Sequence, residues 1–240
     1  KQLGIELGYA DIINQINQLS KVYRKKNIAF IEQIDRAISK SVLGDSVKDQ
    51  IRFISHNLEE LIENNRQMIQ GFFVFLGEQC EAADSFGKLR IKSTNQLPEL
   101  FTQFERIINF WKDLRKEIHA LHNVFSTINS KQMPAYDVIY ERIQEIDLRA
   151  FETEEDLLKL IHPDLDDYAM WIEAGSKTDR NIPGAMLCLA PIEVDYHLNN
   201  IVYKNVPCIV FTSATMALRN SFKFFLHQSG LALVEEKQVI

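Results

Sequence analysis

Residues 46–76, SVKDQIRFISHNLEELIENNRQMIQGFFVFL, decide how this chain folds. Val47, Ile51, Ile54, Leu58, Leu61, Ile62, Met68, Ile69, Phe72 and Leu76 recur at three- and four-residue steps. That spacing puts them on one face of an α-helix. No proline interrupts the run, and Gly71 is its one weak point. Ser46 with Asp49 resembles a capping box just after the break at Gly44-Asp45. A helix this long holds its shape by packing on neighbours, so the stretch predicts a bundle or a projecting arm.

The flanking sequence supplies those neighbours. Asp11 precedes Ile12, Ile16, Leu19 and Tyr23, then Phe30, Ile34 and Ile38, again at helical spacing. Residues 87–97 read as extended, with Lys88, Arg90 and Lys92 alternating with Leu89 and Ile91. Pro98 opens a helix with the stripe Leu100, Phe104, Ile107, Ile108, Trp111, Leu114, Ile118 and Leu121. Asn129-Ser130 and Pro134 end it. A further helix carries Val138, Ile139, Ile143 and Ile146, and Thr153 with Asp156 reads as the N-cap of another that Pro163 stops. The texture then changes. Residues 169–174, 185–190 and 207–211 read as strands, the second fully buried, while 194–203 and 218–227 read as helices and Gly230 closes the last.

Composition agrees with a folded domain: 240 residues, 46% hydrophobic, 25% charged and 10% aromatic. The net charge of −6 lies entirely in residues 151–240, because residues 1–150 carry 20 basic and 20 acidic side chains. Binding to nucleic acid by bulk basicity is thereby excluded, and any such binding must use local patches. Cys80, Cys188 and Cys208 are scattered without CxxC spacing, so they predict neither a zinc site nor an iron–sulfur cluster, and reduced thiols in a cytosolic setting. The longest apolar run, residues 71–76, is too short to cross a bilayer. The chain begins at Lys1 without a signal peptide, which reads as a piece of something longer.

Residues 168–231 carry a more specific pattern. Cys188-Leu-Ala-Pro-Ile-Glu-Val194, a helix, Cys208-Ile-Val-Phe-Thr-Ser-Ala-Thr-Met216, Phe222-Lys-Phe-Phe225 and Ser229-Gly-Leu231 follow in that order. This text resembles the approach to and passage through motif III of DinG-type helicases, the bacterial relatives of XPD in superfamily 2. The resemblance implies a fold that is mainly α. Residues 1–165 would be the helical arch inserted ahead of motif III. Residues 166–240 would be a small α/β segment of a RecA-like motor domain, ending after TSAT. It further implies a bacterial, cytoplasmic, ATP-dependent DNA helicase whose partner is single-stranded DNA, with no membrane association. Thr212, Ser213, Ala214 and Thr215 match motif III, whose hydroxyls link hydrolysis to strand handling. As a bare tetrapeptide, TSAT reads first as a strand-to-helix turn capped by Thr212 or Ser213, and the surrounding text is what turns the reading to motif III.

Departures from the family pattern bound the expectation. No GxxxxGK[ST] phosphate loop and no DEAH-like box stands in these 240 residues. ATP and Mg²⁺ are therefore expected in the longer parent and not in this piece, which carries no catalytic residue. The family's iron–sulfur insertion lies outside this region.

The remaining constellations are the basic clusters and the histidines. Lys21, Arg24, Lys25 and Lys26 form one basic group; Lys88, Arg90 and Lys92, with Phe86 nearby, form a second. Arg106, Lys112, Arg115 and Lys116 form a third. Phosphate contacts from such groups beside a base-stacking aromatic would make a single-strand path, and each group reads equally as a solvated face. The aromatics from Phe72 to Phe75 and from Phe101 to Trp111 read as core. Asp164, Asp166 and Asp167 read as a solvated loop, and Glu152, Glu154, Glu155 and Asp156 as the acidic start of a helix. His119 and His122 could both face one metal, but no third ligand stands at a suitable spacing, so they read as solvent-facing and no metal is expected. Two alternatives remain at this level: a helical protein-interaction module, and an accessory region of a DnaQ-like exonuclease–helicase fusion.

Overall fold

The computed structural model describes residues 4–20, 29–81, 87–174, 185–212, 217 and 221–234. Most of them are helical, and the rest of the regular structure is one small antiparallel sheet. In chain order the elements are β1 (Ile5–Gly8), α1 (Tyr9–Ser20), α2 (Phe30–Ser39), α3 (Asp45–Glu81) and β2 (Lys88–Ile91). They continue as α4 (Pro98–Ser126), α5 (Tyr136–Ile161), β3 (Tyr168–Ala174), β4 (Ala185–Pro191), α6 (Asp195–Leu198) and α7 (Lys223–Gln228).

The long stripe forms α3 as expected, and Ile51, Leu58, Ile62, Ile69, Phe72 and Leu76 are buried along it. Its first turn starts two residues early. The Val47 and Lys48 N–H groups donate to the Gly44 carbonyl, which puts Ser46 inside the helix and not at its cap. Around α3 pack α1, α4 and the sheet. Phe72 stacks on Phe104 of α4, and Tyr9 of α1 meets Phe73 edge-on. Arg66 of α3 donates to Asn17 Oδ1 and Ser20 Oγ, fastening α1 with two hydrogen bonds of 2.8 and 2.9 Å.

Helices α4 and α5 form an antiparallel hairpin joined by residues 127–135. Buried Trp111 donates its indole N–H to the Ala150 carbonyl at 2.8 Å. Nearer the turn, Phe125 stacks on Tyr136. The expected N-cap at Thr153 is absent because α5 runs unbroken through it. Thr153 Oγ1 instead accepts a hydrogen bond from the Gln15 amide of α1 at 3.0 Å. Glu152, Glu154, Glu155 and Asp156 thus lie within α5 and not at a helix start.

The sheet has the order β1-β4-β3-β2, every pair antiparallel. Alternation sends Leu7, Leu187, Leu189, Met170, Ile172 and Ile91 into the core. Two strands come from before residue 165 and two from after it, so the boundary expected there falls between strands of one sheet.

The strand expected at 207–211 does not form. Both flanks of the β3–β4 pair are already taken, by β2 and β1, so the segment has no place beside that pair and its exposed residues leave their backbone groups to water. Val210 and Phe211 are exposed, and the Phe211 ring rests edge-on against Tyr203 and Phe225. Gly230 does close α7. Its φ of +72° suits glycine, and a Cβ there would stand 2.4 Å from the Asp195 carbonyl oxygen of α6.

Candidate nucleic-acid interface

Strand β2 turns Leu89 and Ile91 inward and leaves Lys88 and Arg90 exposed, with Lys92 exposed just past its end. The strand is held at both ends. The Gly87 carbonyl accepts the Ala174 N–H, and Gln96 accepts the Lys92 N–H while its amide donates to the Arg90 carbonyl. The register sets Arg90 opposite Trp171 and Lys88 opposite Glu173 on the same outward face of the sheet. Lys88, Arg90, Ala169, Met170, Trp171 and Ile192 line an open depression of about 470 Å³.

Glu173 organises this face. Its Oε2 accepts from Lys88 Nζ at 2.9 Å and from the Trp171 indole at 2.9 Å. The Lys88 hydrogen bond, followed by that of Trp171, holds the Glu173 carboxyl below the usual carboxylate range. The same bond raises the Lys88 ammonium above its ordinary value. Trp171 is thereby fixed in orientation while part of its surface stays open, beside the exposed Arg90. Cys188, opposite Trp171 on β4, is buried. Burial, then the nearby Glu173 and Glu6 charges, push its thiol up to about 12.

The other basic groups divide. Lys21, Arg24, Lys25 and Lys26 lie outside the described residues, as does Phe86. On α4, Arg106, Lys112 and Lys116 are exposed. Arg115 is committed to the fold, pairing with Glu154 at 2.5 Å and lying 4.7 Å over the Phe151 ring. The aromatics read as core are largely that: Phe72, Phe73, Phe104, Phe110 and Trp111 are buried, with Phe75 and Phe101 at the margin. Asp164, Asp166 and Asp167 are exposed, and Asp164 accepts the Asp166 N–H in a local turn.

Thr212 is exposed and follows no strand, while Ser213, Ala214 and Thr215 lie outside the described residues. Nor do the described strand-to-helix turns fit a nucleotide phosphate. At the β1–α1 turn the Gly8 N–H is already taken by the Asp11 carboxylate at 2.8 Å, and the β4–α6 turn carries Glu193 and Asp195. Carboxylates at both turns repel what a phosphate cradle must attract.

Sequence reasoning missed two residues. Trp171 gains its place beside Arg90 only through strand pairing across some eighty residues of chain. Asp147 is the other: His119 and His122 turn toward it across the α4–α5 hairpin and not simply to solvent. No family model matches the chain, and no curated protein matches it.

Proposed function

We propose that this chain is the helical arch, with adjoining residues of a RecA-like motor domain, of a DinG-type ATP-dependent DNA helicase. In this reading it guides single-stranded DNA across the open face of β2 and β3. One observation carries it: Arg90 and Trp171 are register partners on an outward sheet face, flanked by Lys88 and Lys92. Cationic groups that follow a phosphate backbone beside an indole on which a base can stack are what a sequence-tolerant single-strand path needs. The ordered text from Cys188 to Leu231 supports the family, and Thr212, Ser213 and Thr215 would couple hydrolysis to strand movement in the longer, cytoplasmic protein. ATP and Mg²⁺ belong, on this proposal, to parts of that protein other than these residues. Fused to an exonuclease, the same path would feed a nuclease.

A second reading is a protein-interaction module. It is favoured by exposed Phe53, Val138 and Leu148 on the helices and by Val210, Phe211 and Phe224 near the end of the chain. Fluorescence anisotropy with a labelled oligothymidylate separates the two. Single-strand affinity should fall steeply with salt. Replacing Lys88, Arg90 and Lys92 together by alanine should flatten the salt slope by roughly one unit per lost phosphate contact. An unchanged slope and affinity would remove β2 from any strand path, and salt-insensitive capture of a protein would favour the second reading.

A further inference from the structure

Away from the sheet, the α4–α5 hairpin gathers a separate group of side chains. His119 and His122 stand one turn apart on α4, and Asp147 reaches them from α5. Both histidine Nδ1 atoms lie at hydrogen-bond distance from the same carboxylate oxygen, Asp147 Oδ2, at 3.0 and 2.9 Å. His122 Nε2 meets Tyr140 Oη at 3.3 Å. We propose that His119 Nδ1, His122 Nδ1 and Asp147 Oδ2 form a site for one divalent transition metal of zinc-like chemistry.

The donor set selects the class of ion. Two imidazole nitrogens and one carboxylate suit zinc and its cobalt and nickel neighbours, whereas calcium and magnesium favour all-oxygen shells. Geometry agrees. The three ligand atoms lie within 4.8 Å of one another. A metal about 2.0–2.2 Å from each donor holds tetrahedral ligands roughly 3.3 Å apart, so the two carboxylate–imidazole edges need open by only a few tenths of an ångström.

The site is also built and braced. Ile118 and Leu121, neighbours of the two histidines, are buried, which fixes the helix face that presents them. The Asp147 side chain is only 15% exposed and that of His122 25%. With Nδ1 on the metal, His122 would carry its proton on Nε2, where Tyr140 Oη can accept it, the arrangement by which an outer partner orients a ligating histidine. Without metal, the carboxylate oxygen faces two Nδ1 atoms that can each donate a proton to it. The metal takes the place of those protons. The His119 side chain is 57% exposed, which leaves the remaining coordination positions facing water. A bound ion would staple α4 to α5 beside their connecting turn, independently of any strand path on the sheet.

Calorimetry with zinc chloride tests this on the full chain, carrying Cys208→Ser to remove the exposed thiol as a competing ligand. One zinc per chain should bind saturably. His119→Ala and Asp147→Asn should each weaken binding at least tenfold. Cobalt(II) should give visible ligand-field absorption in the parent that both variants lose. Added zinc should raise the thermal midpoint of the parent alone. Because His119 is exposed, its alanine variant leaves the core intact and decides the matter even if Asp147→Asn does not fold. Absence of saturable uptake, or uptake indifferent to His119→Ala, overturns the proposal. If the variants only lower stability and the parent takes up no metal, the cluster is a hydrogen-bonded pin between two helices and no metal site.

Discussion

Replacing Trp111 by phenylalanine tests the packing that positions everything else. The indole is 1% exposed between α4 and α5, and its N–H donates to the Ala150 carbonyl. Phenylalanine deletes three ring atoms, the donor nitrogen and two carbons. Ala150 sits inside α5, where its carbonyl keeps its in-helix donor, so no orphaned acceptor is created. The lost bond is then worth about 1 kcal/mol. The two missing carbons, at about 0.8 kcal/mol per buried carbon, add about 1–2 kcal/mol. A total near 2–3 kcal/mol corresponds, for a chain of this length, to a thermal midpoint lowered by roughly 5–10 °C. Far-UV circular dichroism follows the melt. Trp171→Phe is the comparison: that indole is partly exposed and donates to Glu173 on the outward sheet face, so its midpoint shift should be the smaller of the two. Equal shifts for the two variants, or none for Trp111→Phe, would refute the account of the hairpin core.

Two further predictions concern charge and thiol chemistry. Because the Glu173 carboxyl is held below its ordinary value of 4.5, its stabilising contribution is present above that value and is lost as pH falls through the lowered one. Glu173→Gln should therefore make the acid-side decline of the thermal midpoint shallower, and, by removing the acid beside Lys88, should strengthen oligonucleotide binding in anisotropy titrations. Cys188, pushed up to about 12 by burial, and Cys80, also raised by burial, stay protonated at neutral pH, while Cys208 is exposed. A thiol reagent should label one cysteine rapidly in the native protein and all three after unfolding, and rapid native labelling of Cys188 would contradict the buried sheet.

What was legible in the sequence was local. The stripes of α3 and α4 repeat over many turns, and burying them requires only the helical period. Pro98 and Pro163 mark helix limits whatever the surroundings. Features that depend on distant partners were not legible. Strand β1 is four residues long and exists because β4, far along the chain, supplies its ladder. Thr153 carried the local signature of a cap, but α5 gains more by continuing, with Leu157 and Leu160 buried beyond it. Pro207–Phe211 has the composition of a buried strand, and the sheet has no vacant edge beside β4. The candidate interface was half legible: alternation alone set Lys88 and Arg90 on one side of β2. Trp171 and Asp147 became visible only once the fold brought separate segments together.

The strand path on β2 and β3 is tested most directly by the emission of Trp171 itself. The chain has two tryptophans, so Trp111→Phe leaves Trp171 as the sole indole reporter. Titration with oligothymidylate should quench its fluorescence saturably as a base stacks on the ring, with quenching that weakens as salt is raised and disappears when Lys88, Arg90 and Lys92 are replaced together. Unchanged Trp171 emission while a labelled oligonucleotide reports binding would place the strand elsewhere on the molecule and contradict the path.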